Sequence, residues 1–231
     1  MNRTGMIITG VAVILLGGLI YYNHEPSELS QVEDGEVWYE EMAKGDKDAP
    51  NTMVYYTDIA CPFCAKFHKA SSPETDFDKD YIDSSKVHME IRVTDLLSSN
   101  NENSTRAGES AYCAADQDKF FDYYDTIVNK FDTDYFSKNI GTSPAGPKVP
   151  KLEDSYYIEA AEDSKLDVDA FTECLDSGSK VTEVRAATNK TIPALPYGRG
   201  VPYFEINDFK TAGFDGDYNI VQQLMLAGGV N

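Results

Sequence analysis

Cys61 and Cys64 stand two residues apart in Asp58-Ile59-Ala60-Cys61-Pro62-Phe63-Cys64, a spacing that lets one sulfur attack and the other resolve in thiol–disulfide exchange. Pro62 suits the first turn of a helix, where its missing N–H is no loss. A helix starting there sets Cys61 at its N-terminus, where free backbone N–H groups and the helix dipole stabilise a thiolate. The thiolate is the attacking form, so this placement governs the reactivity of Cys61 and how readily it leaves a mixed disulfide. Cys64, one turn on, is expected to be more buried and to resolve that intermediate. A C-x-x-C pair is also half of many zinc sites. The chain has three histidines, His24, His68 and His88, and no second C-x-x-C. His68, one helical turn beyond Cys64, reads first as a solvated surface residue. A redox pair is the reading taken. The alternatives are an inert structural pair or a non-catalytic copper- or zinc-binding thiol protein using Cys61, Cys64 and His68.

The segments around the pair alternate strand and helix. Thr52–Thr57 is a short apolar and β-branched run after Pro50 and Asn51, which predicts a buried strand running straight into the cysteines. Val87–Val93 alternates apolar and polar with period two and predicts a second core strand. From Ser104 the period changes. Ala107, Ala111, Ala114, Phe121, Tyr124, Val128 and Phe131 recur at helical spacings, predicting one long amphipathic helix or two in tandem. Residues 141–151 break the pattern with Gly and Pro and read as a loop. A helix follows near Ile158–Lys165, then one capped by Asp167 or Asp169 with Val168, Phe171, Cys174 and Leu175 on one face. Val181 and Val184 continue a helical pattern until Ile192-Pro193. Tyr203–Ile206 predicts a strand, Asn207-Asp208 a turn, about Lys210–Ala212 a short strand, and Ile220, Leu224 and Ala227 a final amphipathic helix.

With 231 residues the chain is one large or two small domains. Hydrophobic residues at 42% and charged residues at 26% are those of a chain with a packed core, which excludes wholesale disorder. Acidic residues outnumber basic ones 39 to 20, a formal charge of −19. A nucleic-acid partner is excluded, because it needs a basic footprint, and so is docking flat on an anionic membrane surface.

Met6–Tyr22 holds 17 residues without a charge. As a helix it spans about 25 Å, slightly short of a hydrocarbon core. Arg3 precedes it and Glu25 and Glu28 follow, so the positive-inside rule puts the N-terminus in the cytoplasm and the rest outside. A cleaved signal peptide is the competing reading, but Tyr21-Tyr22-Asn23-His24-Glu25-Pro26 offers no small-x-small site. Either reading exports the cysteines to an oxidising compartment. Residues 23–36 are polar and acidic without apolar periodicity, and read as a tether.

Three stretches, in order, resemble those of DsbA-like thiol–disulfide oxidoreductases. Gly45-Asp46-Lys47-Asp48-Ala49-Pro50, the strand after it and Cys61-Pro62-Phe63-Cys64 are similar to that family's active-site approach. Ala111-Tyr112-Cys113-Ala114-Ala115-Asp116-Gln117-Asp118-Lys119-Phe120 is similar to its helical-insertion motif. Gly200-Val201-Pro202-Tyr203-Phe204-Glu205-Ile206-Asn207 is similar to its cis-proline loop. The resemblance covers about residues 45–227 and implies an α/β, thioredoxin-like fold with a helical insertion, preceded by a single N-terminal transmembrane helix. The organisation expected is a cytoplasmic N-terminus at 1–5, an anchor at 6–22 and an acidic tether at 23–44. The thioredoxin-like domain follows at 45–231, with the insertion at about 103–190. Pro202 is then expected in a cis peptide opposite Cys61, with the Val201 backbone offered to an extended substrate chain. By itself Pro202 reads as an ordinary proline leading into a strand.

Departures from the family pattern set further expectations. A carboxylate often lies six positions before the first active-site cysteine and assists proton transfer from the buried one; here that position is Tyr55. Asp58, three before Cys61, matches an acidic residue common in the family, and on its own reads as a solvated loop residue or local cap. Phe63 brings neither the charge nor the ring N–H of a histidine, so a less extreme oxidant is expected. Residues 188–199, with two prolines, read as a long approach loop to Pro202. Cys113 and Cys174 lie on apolar faces of predicted insertion helices. In an oxidising compartment they are expected to form a structural disulfide, as in some family members; the alternative is two buried thiols behaving as small hydrophobes.

The activity implied is disulfide formation in exported proteins with reduced cysteines, performed by Cys61 and Cys64 without a cofactor or metal. A quinone-linked membrane partner is expected to reoxidise the pair. A reductase or isomerase of the same fold is the alternative; an isomerase usually adds a dimerisation domain, for which residues 23–44 are too short.

Overall fold

The apolar run after Pro50 and the alternating run after Lys86 become adjacent parallel strands in the computed structural model, which describes residues 30–32, 36–38, 40–72, 75–195 and 200–231. In chain order the strands are β1 (Ser30–Val32), β2 (Glu36–Trp38), β3 (Ala43–Lys44), β4 (Asn51–Thr57), β5 (Val87–Val93), β6 (Tyr203–Ile206) and β7 (Phe209–Ala212). β1 and β2 pair with each other, and the other five form one sheet in the order β3-β5-β4-β6-β7. β4 and β5 are parallel, with Tyr55 opposite Ile91, and the remaining pairs are antiparallel. The period-two pattern of β5 is read out directly: Val87, Met89, Ile91 and Val93 are buried, and the residues between them are half-buried. The β6–β7 reversal rests on Asn207, at φ +51°. Its amide accepts from Thr52 N–H and donates to Asn51 and to the Gly228 carbonyl, tying the turn to β4 and the C-terminus.

One face of the sheet is covered by α1 (Pro62–Ala70) and α7 (Tyr218–Ala227). Phe67 of α1 packs its ring on Tyr55, Phe204 and Phe214, so the helix carrying the cysteines is seated by aromatic contacts. Between β5 and β6 the described residues make five α-helices: α2 (Asn103–Ala115), α3 (Phe120–Asp134), α4 (Asp154–Asp163), α5 (Val168–Ser177) and α6 (Val181–Ala194). α2 is buried nearly all round, as expected for the central helix of such a cluster. A side chain at Gly108 would meet the Val184 methyls at 2.9 Å, so its absence lets α2 and α6 touch. α3 lies against α1 and joins the insertion to the helix that carries the cysteines.

The helical stretch after Ser104 is two helices, broken at Asp116–Lys119 where Asp118 takes φ +55°. Three boundaries differ from the sequence expectations. Within the expected tether 23–44, β1 and β2 form a hairpin-like pair, and Ala43 and Lys44 join the sheet edge beside β5. A two-residue strand has no periodicity to betray it; what fixes it is the edge of β5, which offers unpaired backbone groups, and Met42, which is buried. The helical pattern expected to run to Ile192-Pro193 does so as α6, which closes at Ala194, so the approach loop expected at 188–199 begins later than read. Pro193 sits in the last turn of α6, where its backbone angle is compatible with a helix. The π-helical turn Asp78–Ile82 had no sequence signature. The anchor expected at Met6–Tyr22 lies outside the described residues, among which no helix is long and apolar enough to cross a membrane.

Candidate active site

β4 ends at Thr57, and a tight turn closed by the Cys61 N–H donating to the Asp58 carbonyl delivers the chain into α1. Cys61 is the N-cap residue, with extended backbone angles, and its carbonyl accepts the first helical bond from Ala65 N–H at 3.0 Å. Pro62 occupies the first turn. Both cysteines are thiols here, and both are nearly inaccessible, at 3% and 1% exposure for Cys61 and Cys64. They are not equivalent. Cys61 lines a cleft of about 420 Å³, which Cys64 does not reach. The Cys61 thiol donates to the Val201 carbonyl at 3.5 Å, and the Val201–Pro202 peptide is cis. Val201 and Phe63 also line this cleft, and Phe63 is 41% exposed beside the cysteine it follows.

Cys64 faces inward. Burial pushes its thiol well above the usual range and the neighbouring Cys61 pushes the same way, while the Asp58 N–H and the Thr57 hydroxyl favour the thiolate. The Thr57 hydroxyl lies 3.0 Å from both the Tyr55 and the Tyr124 hydroxyls, and Tyr55 can also donate to the Cys64 carbonyl. In the sequence Tyr55 is one residue of the predicted strand, standing where the family often has a carboxylate. Tyr124 was read as one more apolar position on a helix face, and nothing in its spacing marks its contact with Thr57, 67 residues away.

Asp58 is not the solvated loop residue its sequence position offered: it is fully buried. One carboxylate oxygen accepts from Ala60 N–H at 2.9 Å, and the other from Leu97 N–H at 2.9 Å and from the Ser104 hydroxyl. It therefore ties the cysteine turn to the loop after β5 and to the start of α2. Burial raises its carboxyl to about 6, against the pull of those three donors. Asn101 adds a bond to the Ala60 carbonyl. His68 is not solvated either. Its Nε2 is 2.9 Å from Asp125 and its ring stands edge-on to Tyr124, turned toward α3. Among the described residues no three His, Cys, Asp or Glu side chains converge as metal ligands.

Cys61, Pro62, Phe63, Cys64, Asp58, Val201 and Pro202 thus meet at one end of the sheet. Cys113 and Cys174 lie away from it, joined by a disulfide with Cα atoms 5.8 Å apart that bridges α2 and α5.

A Bacillus anthracis protein named for disulfide bond formation (protein D) is 25% identical over 150 residues, 64% of this chain and 68% of the relative. A Rickettsia felis protein named a protein-disulfide oxidoreductase is 24% identical over 177 residues, 77% of this chain and 56% of the relative. The fold is similar to oxidised BdbD of Bacillus subtilis, with a TM-score of 0.62 at 19% identity over 81% of this chain and 91% of that one. It is also similar to alpha-DsbA1 of Wolbachia pipientis, with a TM-score of 0.61 at 18% identity over 89% and 97%. Residues 39–215 match the family profile described as thioredoxin. With the cysteine turn, the cis-proline loop and the helical insertion in place, the chain belongs to the thioredoxin family, as a DsbA-like protein thiol–disulfide oxidoreductase.

Proposed function

We infer that Cys61 and Cys64 are the redox pair, and that the protein forms disulfides in exported proteins outside the cytoplasm. The observation that carries this is the asymmetry of the two sulfurs: Cys61 lines the cleft beside the Val201 backbone while Cys64 is sealed behind it. A client thiolate attacks Cys61 of the disulfide form, the Cys61–Cys64 bond breaks, and Cys64 departs as a thiolate that takes up a proton. A second client thiolate then attacks the client sulfur of the mixed disulfide. Cys61 leaves, the oxidised client is released, and the enzyme is left as a dithiol. The uncharged run Met6–Tyr22 supports a single-pass anchor with an N-terminus in the cytoplasm. Such an anchor would hold the domain near a quinone-linked membrane partner that restores the disulfide.

The test is the reduction potential of the full chain in detergent, titrated in glutathione buffers with thiol alkylation. A value toward about −120 mV supports disulfide donation, and one toward about −270 mV makes the protein a reductase instead. Cys61→Ser must abolish the titration. Recovery of the protein from membranes with residues 6–22 still attached supports the anchor; a mature chain beginning after Tyr22 overturns it.

A further inference from the structure

Exchange at a buried sulfur requires a proton to follow the electron pair. When Cys61 is attacked, Cys64 leaves as a thiolate and must be protonated; when Cys64 attacks in the reverse direction, its thiol must first ionise. Cys64 is 1% exposed, so bulk water does not reach it. The nearby carboxylate, Asp58, has both oxygens occupied by the Ala60 and Leu97 N–H groups and the Ser104 hydroxyl, and only its backbone N–H acts on the Cys64 sulfur. The hydroxyls beside Cys64 are those of Tyr55, which donates to the Cys64 carbonyl at 3.3 Å, and of Thr57, which favours the Cys64 thiolate. Thr57 is fully buried, and the Tyr55 and Tyr124 hydroxyls each lie 3.0 Å from it. Each hydroxyl has one proton to give and lone pairs to receive another, so the three form an unbroken hydrogen-bonded path.

The path has an exit. Tyr55 and Tyr124 line a second cavity, of about 200 Å³, that shares no lining residue with the cleft in front of Cys61. Its walls include His68 paired with Asp125 and Lys44 paired with Asp78. The titratable and charged groups around the path are therefore Tyr55 of β4, Asp58 of the turn, Cys61 and His68 of α1, Tyr124 and Asp125 of α3, Lys44 of β3 and Asp78.

We propose that Thr57, Tyr55 and Tyr124 relay protons between Cys64 and this second cavity, which is separate from the cleft in front of Cys61. This rests on Cys61 and Cys64 being the redox pair. In the oxidising direction the client sulfur bonds to Cys61 and the Cys61–Cys64 bond breaks with its electrons on Cys64. Cys64 takes the Thr57 hydroxyl proton, Thr57 takes one from Tyr124 or Tyr55, and the tyrosine is replenished by water in the cavity. In the reverse direction each transfer runs backward. The three are positioning residues for proton transfer; none touches the client.

The test uses oxidised glutathione and the reduced full chain, with acid-quenched samples read by mass spectrometry. Cys61 attacks the probe first and carries a glutathione; Cys64 then expels it. Thr57→Val and Tyr124→Phe keep side-chain volume and remove the hydroxyl. In both, the second step is expected to slow by about tenfold or more, so that the glutathionylated form accumulates, with the deficit shrinking as pH rises and solvent base takes over. Thr57→Ser is expected to restore the rate. The first step, timed in a Cys64→Ser background, should not change. An unchanged second step in Thr57→Val and Tyr124→Phe overturns the relay, as does an equal slowing of both steps at every pH. Failure of the parent chain to form the Cys61 adduct at all overturns instead the assignment of the redox pair.

Discussion

Asp58 is a fully buried carboxyl whose three donors only partly offset the loss of water, which is why burial raises it to about 6. In the unfolded chain an aspartate titrates near about 3.9. Between those values the folded protein holds a proton that the unfolded chain has released. The stability this proton contributes is complete below about pH 3.9 and is lost as the pH rises through about 6. The shift corresponds to roughly 3 kcal/mol by pH 7, as an order of magnitude. Asp58→Asn has no such proton to lose. Its amide nitrogen cannot accept from Leu97 N–H or Ser104, so the variant should be less stable than the parent near pH 4, by about 1–3 kcal/mol. The diagnostic is the slope. Urea midpoints at pH 4, 5.5 and 7 should converge for the two proteins as pH rises, because the parent loses what the variant never had. Parallel curves would show that Asp58 stays ionised throughout.

At the level of elements, the helical insertion is a separate layer held to the sheet by α3 on α1 and by α6 on β5, and cross-linked within itself by Cys113 and Cys174. The bridge closes a sequence separation of 61 residues. In the chain-entropy account such a closure contributes about 4 kcal/mol, often less. Neither sulfur lines the cleft at Cys61, so Cys113→Ala should lower the thermal midpoint, by up to about 8–16 °C for a domain of this size, and leave client turnover unchanged. Lost redox activity at an unchanged midpoint would contradict that division of labour. The elements were also where sequence carried furthest. β4, β5, β6 and the cysteine turn follow from local patterns: a β-branched run, strict alternation, a proline placed where a helix can use it. What stayed hidden depends on partners distant in sequence. Asp58 finds Ser104 46 residues on, and Thr57 finds Tyr124 67 residues on. His68 looked solvated until α3 brought Asp125 to it. Pro193, by contrast, marks the helix end to within one residue, since α6 closes at Ala194.

For the whole molecule the dominant property is charge, −19 over 231 residues, while the cleft at Cys61 is close to neutral. Asn100, Asn101, Thr142 and Ser143 line it, with Lys148 as its one charged side chain among the described residues. On the other side of Phe63 a shallower groove holds Asp215, whose carboxylate is 2.6 Å from the Lys66 ammonium. Local contacts therefore discriminate little by charge, and what a client feels on approach is the field of the entire domain. Such a field changes the rate of encounter more than the chemistry that follows. It reaches about 30 Å at 0.01 M salt and about 8 Å at 0.15 M. Two peptides with the same central cysteine pair, one flanked by lysines and one by glutamates, separate these contributions. At low salt the basic peptide should show the higher kcat/KM. Raising salt to 0.15 M should lower its kcat/KM and raise that of the acidic peptide, bringing the two together, while kcat at saturation stays the same for both. A salt-independent preference, or one expressed in kcat, would place client selection in the cleft and not in the surface charge.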